Sequence, residues 1–118
     1  PEQLDYLEEP DMCHDTFGHV PLLTNQHFCD FLGDFSRISL KYIENEYAIT
    51  LLQRLYWFTV EFGLIREDGQ LKIYGGGILS SSGESEYSLF SEIPQRVDYN
   101  VSDILATVVK IDEFQKKY

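Results

Sequence analysis

A mostly α-helical domain carrying one small β-hairpin is the fold this sequence predicts. Apolar residues recur at spacings of three and four across two long stretches, which is the pattern of helices that each bury one face. The period then changes at "LIREDGQLKIY", where Asp68-Gly69 separates two short apolar-rich runs, a hairpin signal. The composition, 43% hydrophobic and 14% aromatic over 118 residues, suits one folded domain with a modest core.

The elements follow in chain order. Glu9-Pro10-Asp11 reads as a helix start, because proline fits the first helical position and aspartate favours the positive end of the helix dipole. A short helix from Pro10 to Phe17 is expected to end at Gly18, with Pro21 preventing continuation. Thr24-Asn25 can cap a second helix, with Phe28, Phe31, Leu32, Phe35 and Ile38 inward. A third runs from Glu46 to Phe62, with Ala48, Leu51, Leu52, Leu55, Phe58, Thr59 and Phe62 on its inner face and Gly63 as its stop. After the hairpin, Ser81 and Glu84 have capping-box spacing for a helix through Phe90. "EIPQRVDYN" reads as loop, Ser102 can cap a short helix, and "TVVKI" is a possible last strand.

The net charge of −11 repels phosphate backbones and argues against a nucleic-acid partner. No run of about 18 apolar residues is present, so no membrane-spanning helix is expected. Cys13 and Cys29 make neither a C-x-x-C pair nor a disulfide framework, and read as reduced thiols of a cytoplasmic protein. The opening "PEQLDYLEEP" and the closing "EFQKKY" read like the middle of something longer.

Two places resist a purely structural reading. Glu61 is the only charge in "LYWFTVEFGLI". A carboxylate inside an apolar interior needs a donor, a cation or a metal, unless it sits at the helix edge and reaches water. His14 and His19 stand five apart around Gly18. On an unbroken α-helix such residues diverge by about 140°. If the helix ends at Gly18, His19 can swing back toward His14; otherwise they are ordinary polar residues near a helix end. Two histidines and a carboxylate from another helix would match the facial triad that suits non-haem Fe(II), and zinc takes the same donors.

With these residues in view, "EPDMCHDTFGHVPLL", "LYWFTVEFGL", "YGGGILSSSGE" and "FQKKY", in that order, resemble the tetrahydropterin-dependent aromatic amino acid hydroxylases. The N-terminal phrasing looks most like the bacterial phenylalanine 4-hydroxylases, although tyrosine and tryptophan hydroxylases share the core motifs. The resemblance covers nearly all of this chain but only part of the family's catalytic domain, whose upstream portion supplies much of the pterin pocket and a substrate-carboxylate arginine. Residues 1–118 are therefore expected to be part of one such domain, lacking upstream and downstream segments.

The resemblance implies His14, His19 and Glu61 as iron ligands. It implies Asp15 as an acidic residue facing the pterin and metal-bound water, and Tyr56 as a tyrosine close to the iron. Pro10 and Trp57 match positions lining the substrate ring pocket, Tyr6 another pocket-side position, and Gly77 and Ser80 the loop contacting the amino acid backbone. Glu84 matches a position supporting that loop, and a helix cap explains it equally well. The implied cofactors are Fe(II) and tetrahydrobiopterin or a related tetrahydropterin; the implied substrates are L-phenylalanine and O2. The implied reaction is monooxygenation of phenylalanine to tyrosine. Gln53, Arg54 and Lys116 depart from the usual family residues without touching the ligands.

Two alternatives stay open: a metal-binding segment that turns nothing over, and a zinc hydrolase, which lacks an H-E-x-x-H motif and a clear general base. His27, Asp112 and Glu113 are expected in solvent and Cys13 in the core. Gly75-Gly76-Gly77 lacks the lysine of a phosphate-binding loop.

Overall fold

A computed structural model describes residues 12–111 and 113–118. Tyr6, Pro10, the expected helix start at Pro10, and Asp112 lie outside the described residues.

Within the described residues the chain is mostly helical with one two-stranded antiparallel sheet. Helix α1 spans Gln26–Lys41 and α2 spans Glu46–Tyr56. Each begins at an asparagine whose side-chain oxygen accepts a backbone N–H three residues on, Asn25 from Phe28 at 3.2 Å and Asn45 from Ala48 at 3.0 Å. Both caps satisfy an N–H that has no partner inside the helix.

The first correction concerns the histidine segment. No helix ends at Gly18. His14–His19 forms a π-helical turn, in which Val20 N–H donates to Asp15 C=O, and Val20–Thr24 then tightens into a 3₁₀ turn. Pro21 is tolerated because it sits in the first turn of that tighter helix, where its missing N–H breaks nothing. The second correction is parallel. The helix expected through Phe62 stays α-helical only to Tyr56 and widens over Trp57–Glu61, closed by Phe62 N–H donating to Trp57 C=O at 2.8 Å.

Strands β1 (Leu64–Glu67) and β2 (Gln70–Ile73) pair with Leu64 opposite Ile73 and Glu67 opposite Gln70. Asp68 and Gly69 take φ of 51° and 77°, as a two-residue turn matched to strand twist requires. The glycine run was not foreseen as helix, yet Gly76–Leu79 forms a single turn, α3. It packs on both π turns. Helix α4 (Ser82–Phe90) starts where expected, with Ser81 Oγ accepting Glu84 N–H at 3.2 Å. The reciprocal half of the capping box is replaced, because Glu84 Oε1 is taken by Gln115 and Tyr118.

Helix α5 (Val101–Ala106) is capped by Asn100, not by Ser102. "TVVKI" forms no strand; the late pairing is a parallel bridge between Gln95 and Lys117. Val60, Phe62 and Ile78 are the fully buried apolar side chains among the described residues. Cys13 is exposed, not core, and His27 and Glu113 are in solvent as expected.

Candidate metal centre

The wide turn answers how histidines five apart can share a face. An α-helix points them well apart, and a wider turn closed by i→i+5 bonds reduces that divergence. His14 and His19 bring their Nε2 atoms to 2.8 Å. The second π turn delivers Glu61, whose carboxylate oxygens lie 3.6 Å from His14 Nε2 and 3.2 Å from His19 Nε2. The three residues make one metal-competent group. Donors about 2.1 Å from a common ion at right angles stand about 3.0 Å apart, so these edges fit three ligands on one face.

Hydrogen bonding assigns the tautomer of His14. Ser80 Oγ donates to Gly76 C=O at 2.7 Å, so its remaining role toward His14 Nδ1, 2.6 Å away, is to accept. Nδ1 therefore carries the proton and Nε2 presents its lone pair to the centre, the arrangement of a metal-binding imidazole with its outer nitrogen held. His19 loses proton affinity through burial, partly opposed by the charge of Asp15, and this favours the neutral ring a metal needs.

Burial pushes the Glu61 carboxyl above its ordinary range. His14 and a hydrogen bond from Gly77 N–H oppose this, while Asp15 adds to it. With both rings in the ligating tautomer, the carboxylate and the two Nε2 atoms become a cluster of acceptors. A cation resolves that mutual repulsion and favours the ionised form of Glu61.

The glycine run makes the close approach possible. A Cβ on Gly76 would sit 2.5 Å from His19 Cε1, and one on Gly75 would sit 2.3 Å from Glu61 C=O. A Cβ on Gly18 would in turn sit 2.9 Å from Gly76 Cα. Neither Gly75 nor Gly76 was singled out from sequence as serving the histidines; the three consecutive glycines were the available signal. Gly77 and Ser80, expected at the substrate backbone, here hold Glu61 and His14 respectively.

Of the remaining expected residues, Asp15, Tyr56 and Trp57 are described. Asp15 is exposed and its charge is felt at His19, Glu61 and Tyr56. The Tyr56 hydroxyl is pushed up, first by burial and then by Glu61 and Asp15. Trp57 packs on Phe62 with ring centroids 4.6 Å apart, and with Tyr56, Phe35, Leu52 and Ile111 it lines an apolar groove. Phe62 in turn closes on Gly77, where a Cβ would meet its ring at 2.8 Å.

Residues 2–118 match the family model of the biopterin-dependent aromatic amino acid hydroxylases. The chain is 52% identical over its whole length to phenylalanine-4-hydroxylase of Ralstonia nicotianae, covering 37% of that protein. It is 51% identical to the Chromobacterium violaceum enzyme of the same name, again over all of this chain, covering 39% of the relative. It thus spans about two fifths of the length of these curated relatives. The structure of phenylalanine hydroxylase from Chromobacterium violaceum bound to cobalt superposes with a TM-score of 0.92 at 50% identity, over 100% of this chain and 42% of that one. A phenylalanine hydroxylase of Legionella pneumophila gives 0.91 at 42% identity, over 100% of this chain and 50% of that one. By sequence and fold, this chain belongs to the biopterin-dependent aromatic amino acid hydroxylase family.

Proposed function

We infer that these residues belong to a non-haem Fe(II), tetrahydropterin-dependent monooxygenase converting L-phenylalanine to L-tyrosine with O2. Residues 1–118 are the metal-holding part of one catalytic domain that continues on either side. The observation that carries the reading is the convergence of His14 Nε2, His19 Nε2 and a Glu61 oxygen from two π turns.

The ligands would be His14, His19 and Glu61, and the bound iron would supply dioxygen activation in concert with the pterin. The chain's own contribution is geometric and electrostatic. Ser80 holds His14 in its ligating tautomer, and the Gly77 N–H aims Glu61. Gly76 lets α3 close over His19. Trp57 and Phe62 form an aromatic wall that keeps water from the reacting ring. Asp15, exposed beside His14, would accept hydrogen bonds from pterin N–H groups and from metal-bound water. The Tyr56 hydroxyl is within reach of the charges of Glu61 and Asp15.

Small-molecule partners suit the charge of −11, which disfavours nucleic acid. No helix among the described residues is long and apolar enough to cross a membrane, and with two free cysteines a cytoplasmic enzyme is the consistent reading.

A second reading, a metal-binding segment without turnover, is favoured by one fact, the two-fifths coverage of the relatives. The experiment is anaerobic Fe(II) titration of the chain beside Glu61→Ala, followed by tyrosine formation with L-phenylalanine, a tetrahydropterin and O2. Binding lost in the variant together with O2-dependent tyrosine supports the hydroxylase. Binding without tyrosine supports the second reading, and unchanged iron affinity in Glu61→Ala sinks the ligand assignment.

A further inference from the structure

A second polar cluster lies away from the metal ligands and ends on the aromatic wall. Glu84 and Gln115 are 0% and 2% exposed. Glu84 Oε1 accepts the Gln115 backbone N–H at 3.0 Å and the Tyr118 hydroxyl at 2.6 Å. The Gln115 side chain is held from its other end, its Nε2 donating to Lys110 C=O at 2.8 Å. That bond fixes the amide orientation, so Oε1 faces the indole and accepts Trp57 Nε1–H at 3.2 Å. Trp57 opens the π turn that ends at Glu61, and its ring packs on Phe62.

A buried carboxylate and a buried amide are costly to desolvate unless their hydrogen bonds are made. Here those bonds run from α4, through the segment near Tyr118, to one indole nitrogen. An indole held only by packing can slide in its plane; one tied at Nε1 cannot.

We propose that Gln115 is a positioning residue that sets the Trp57 indole, and with it the shape of the wall against which the substrate's aromatic ring rests, and that Glu84 acts through Gln115 by anchoring its backbone. The inference rests on the proposed hydroxylase reading for its substrate, but not for its physical link.

Trp57 is the only tryptophan in the chain, so its fluorescence reports on the link directly. The test uses the whole chain loaded with Co(II), comparing Gln115→Met, Glu84→Met and Glu84→Gln. Gln115→Met keeps side-chain length and removes the acceptor; it should shift Trp57 emission and raise its acrylamide quenching about twofold, while Co(II) affinity stays within about threefold. Glu84→Met should give the same signature, and Glu84→Gln, which keeps an oxygen at the Oε1 position, should restore the parent spectrum. Under turnover, Gln115→Met should raise KM for L-phenylalanine about tenfold with kcat changed far less. Unchanged emission and quenching in a folded Gln115→Met chain overturns the proposal. So does a parallel collapse of Co(II) affinity, which would mean a general structural role. An unsubstituted chain that makes no tyrosine counts against the hydroxylase reading alone, and the fluorescence then decides the Gln115 link.

Discussion

Glu61 and Glu84 are both carboxylates taken out of water, and their surroundings are opposite. Glu61 faces two ring nitrogens able to ligate a metal, the Nε2 atoms of His14 and His19 at 3.6 and 3.2 Å. Glu84 faces donors, the Gln115 N–H and the Tyr118 O–H. Burial raises the proton affinity of both. What differs is what each still lacks. Glu84 has its charge answered by the protein at one oxygen, while its Oε2 finds no partner among the described residues. Glu61 accepts the Gly77 N–H but stands in a group whose other members are metal donors. Donors around a buried carboxylate make an anchor, and lone pairs around one make a ligand set.

The comparison breaks most sharply at Glu61. Glu61→Ala should weaken Co(II) or Fe(II) binding by more than the ~100-fold that loss of an outer partner typically costs. Isothermal titration reads this, and an affinity within threefold of the parent would remove Glu61 from the ligand set. Ser80→Ala leaves all three ligands but frees the His14 tautomer, so a loss of about 10- to 100-fold is expected by the same titration.

Gly76→Ala tests the scaffold. Its Cβ would stand 2.5 Å from the His19 ring, so His19 must move, with about 1–3 kcal/mol of stability lost alongside metal affinity. Urea unfolding without metal separates the two effects; an unshifted midpoint would show that α3 does not need the glycine.

Glu84→Ala should behave in the contrary way to Glu61→Ala. Two donors lose their acceptor, costing about 1–3 kcal/mol in urea melts, while metal affinity barely moves. The smallest effect is in pH. The folded Glu84 carboxyl binds its proton more tightly than the ordinary 4.5. Between 4.5 and that raised value the folded state holds a proton the unfolded chain has released, so Glu84 makes stability decline as pH rises through this window and level off above it. Glu84→Gln should flatten that decline; an unchanged pH profile would mean that Glu84 has no such shift.

The residues of the site were legible before their geometry was. Spacing alone fitted His14 and His19 as ordinary polar residues and Glu61 as a helix-edge residue; the family resemblance singled them out, and it read "YGGGILSSSGE" as a substrate-contacting loop. The route by which the histidines meet was misread. Gly18 and Pro21 are strong helix-ending signals, and here they serve a helix that widens and then tightens without ending. The Trp57–Glu61 widening was invisible for a related reason: over so few residues an apolar pattern fits an α-turn and a π-turn alike. Asn100 displaced Ser102 as a cap because neighbouring cap residues compete and local sequence does not rank them.

By itself the sequence determined the helical class, the Asp68-Gly69 hairpin and the cap signals at Thr24-Asn25 and Ser81, and its resemblance to the family named the candidate triad. These depend on local periodicity, on φ preferences and on which side chains carry lone pairs. Only the tertiary structure decided that two turns would be π, that Ser80 would fix the His14 proton, and that Glu84 would reach Gln115 and Tyr118. Each of these depends on a partner distant in sequence. A π turn gains its stability from what its bulge presents to the rest of the molecule, and a buried polar group takes its role from whichever donors or acceptors the fold brings to it.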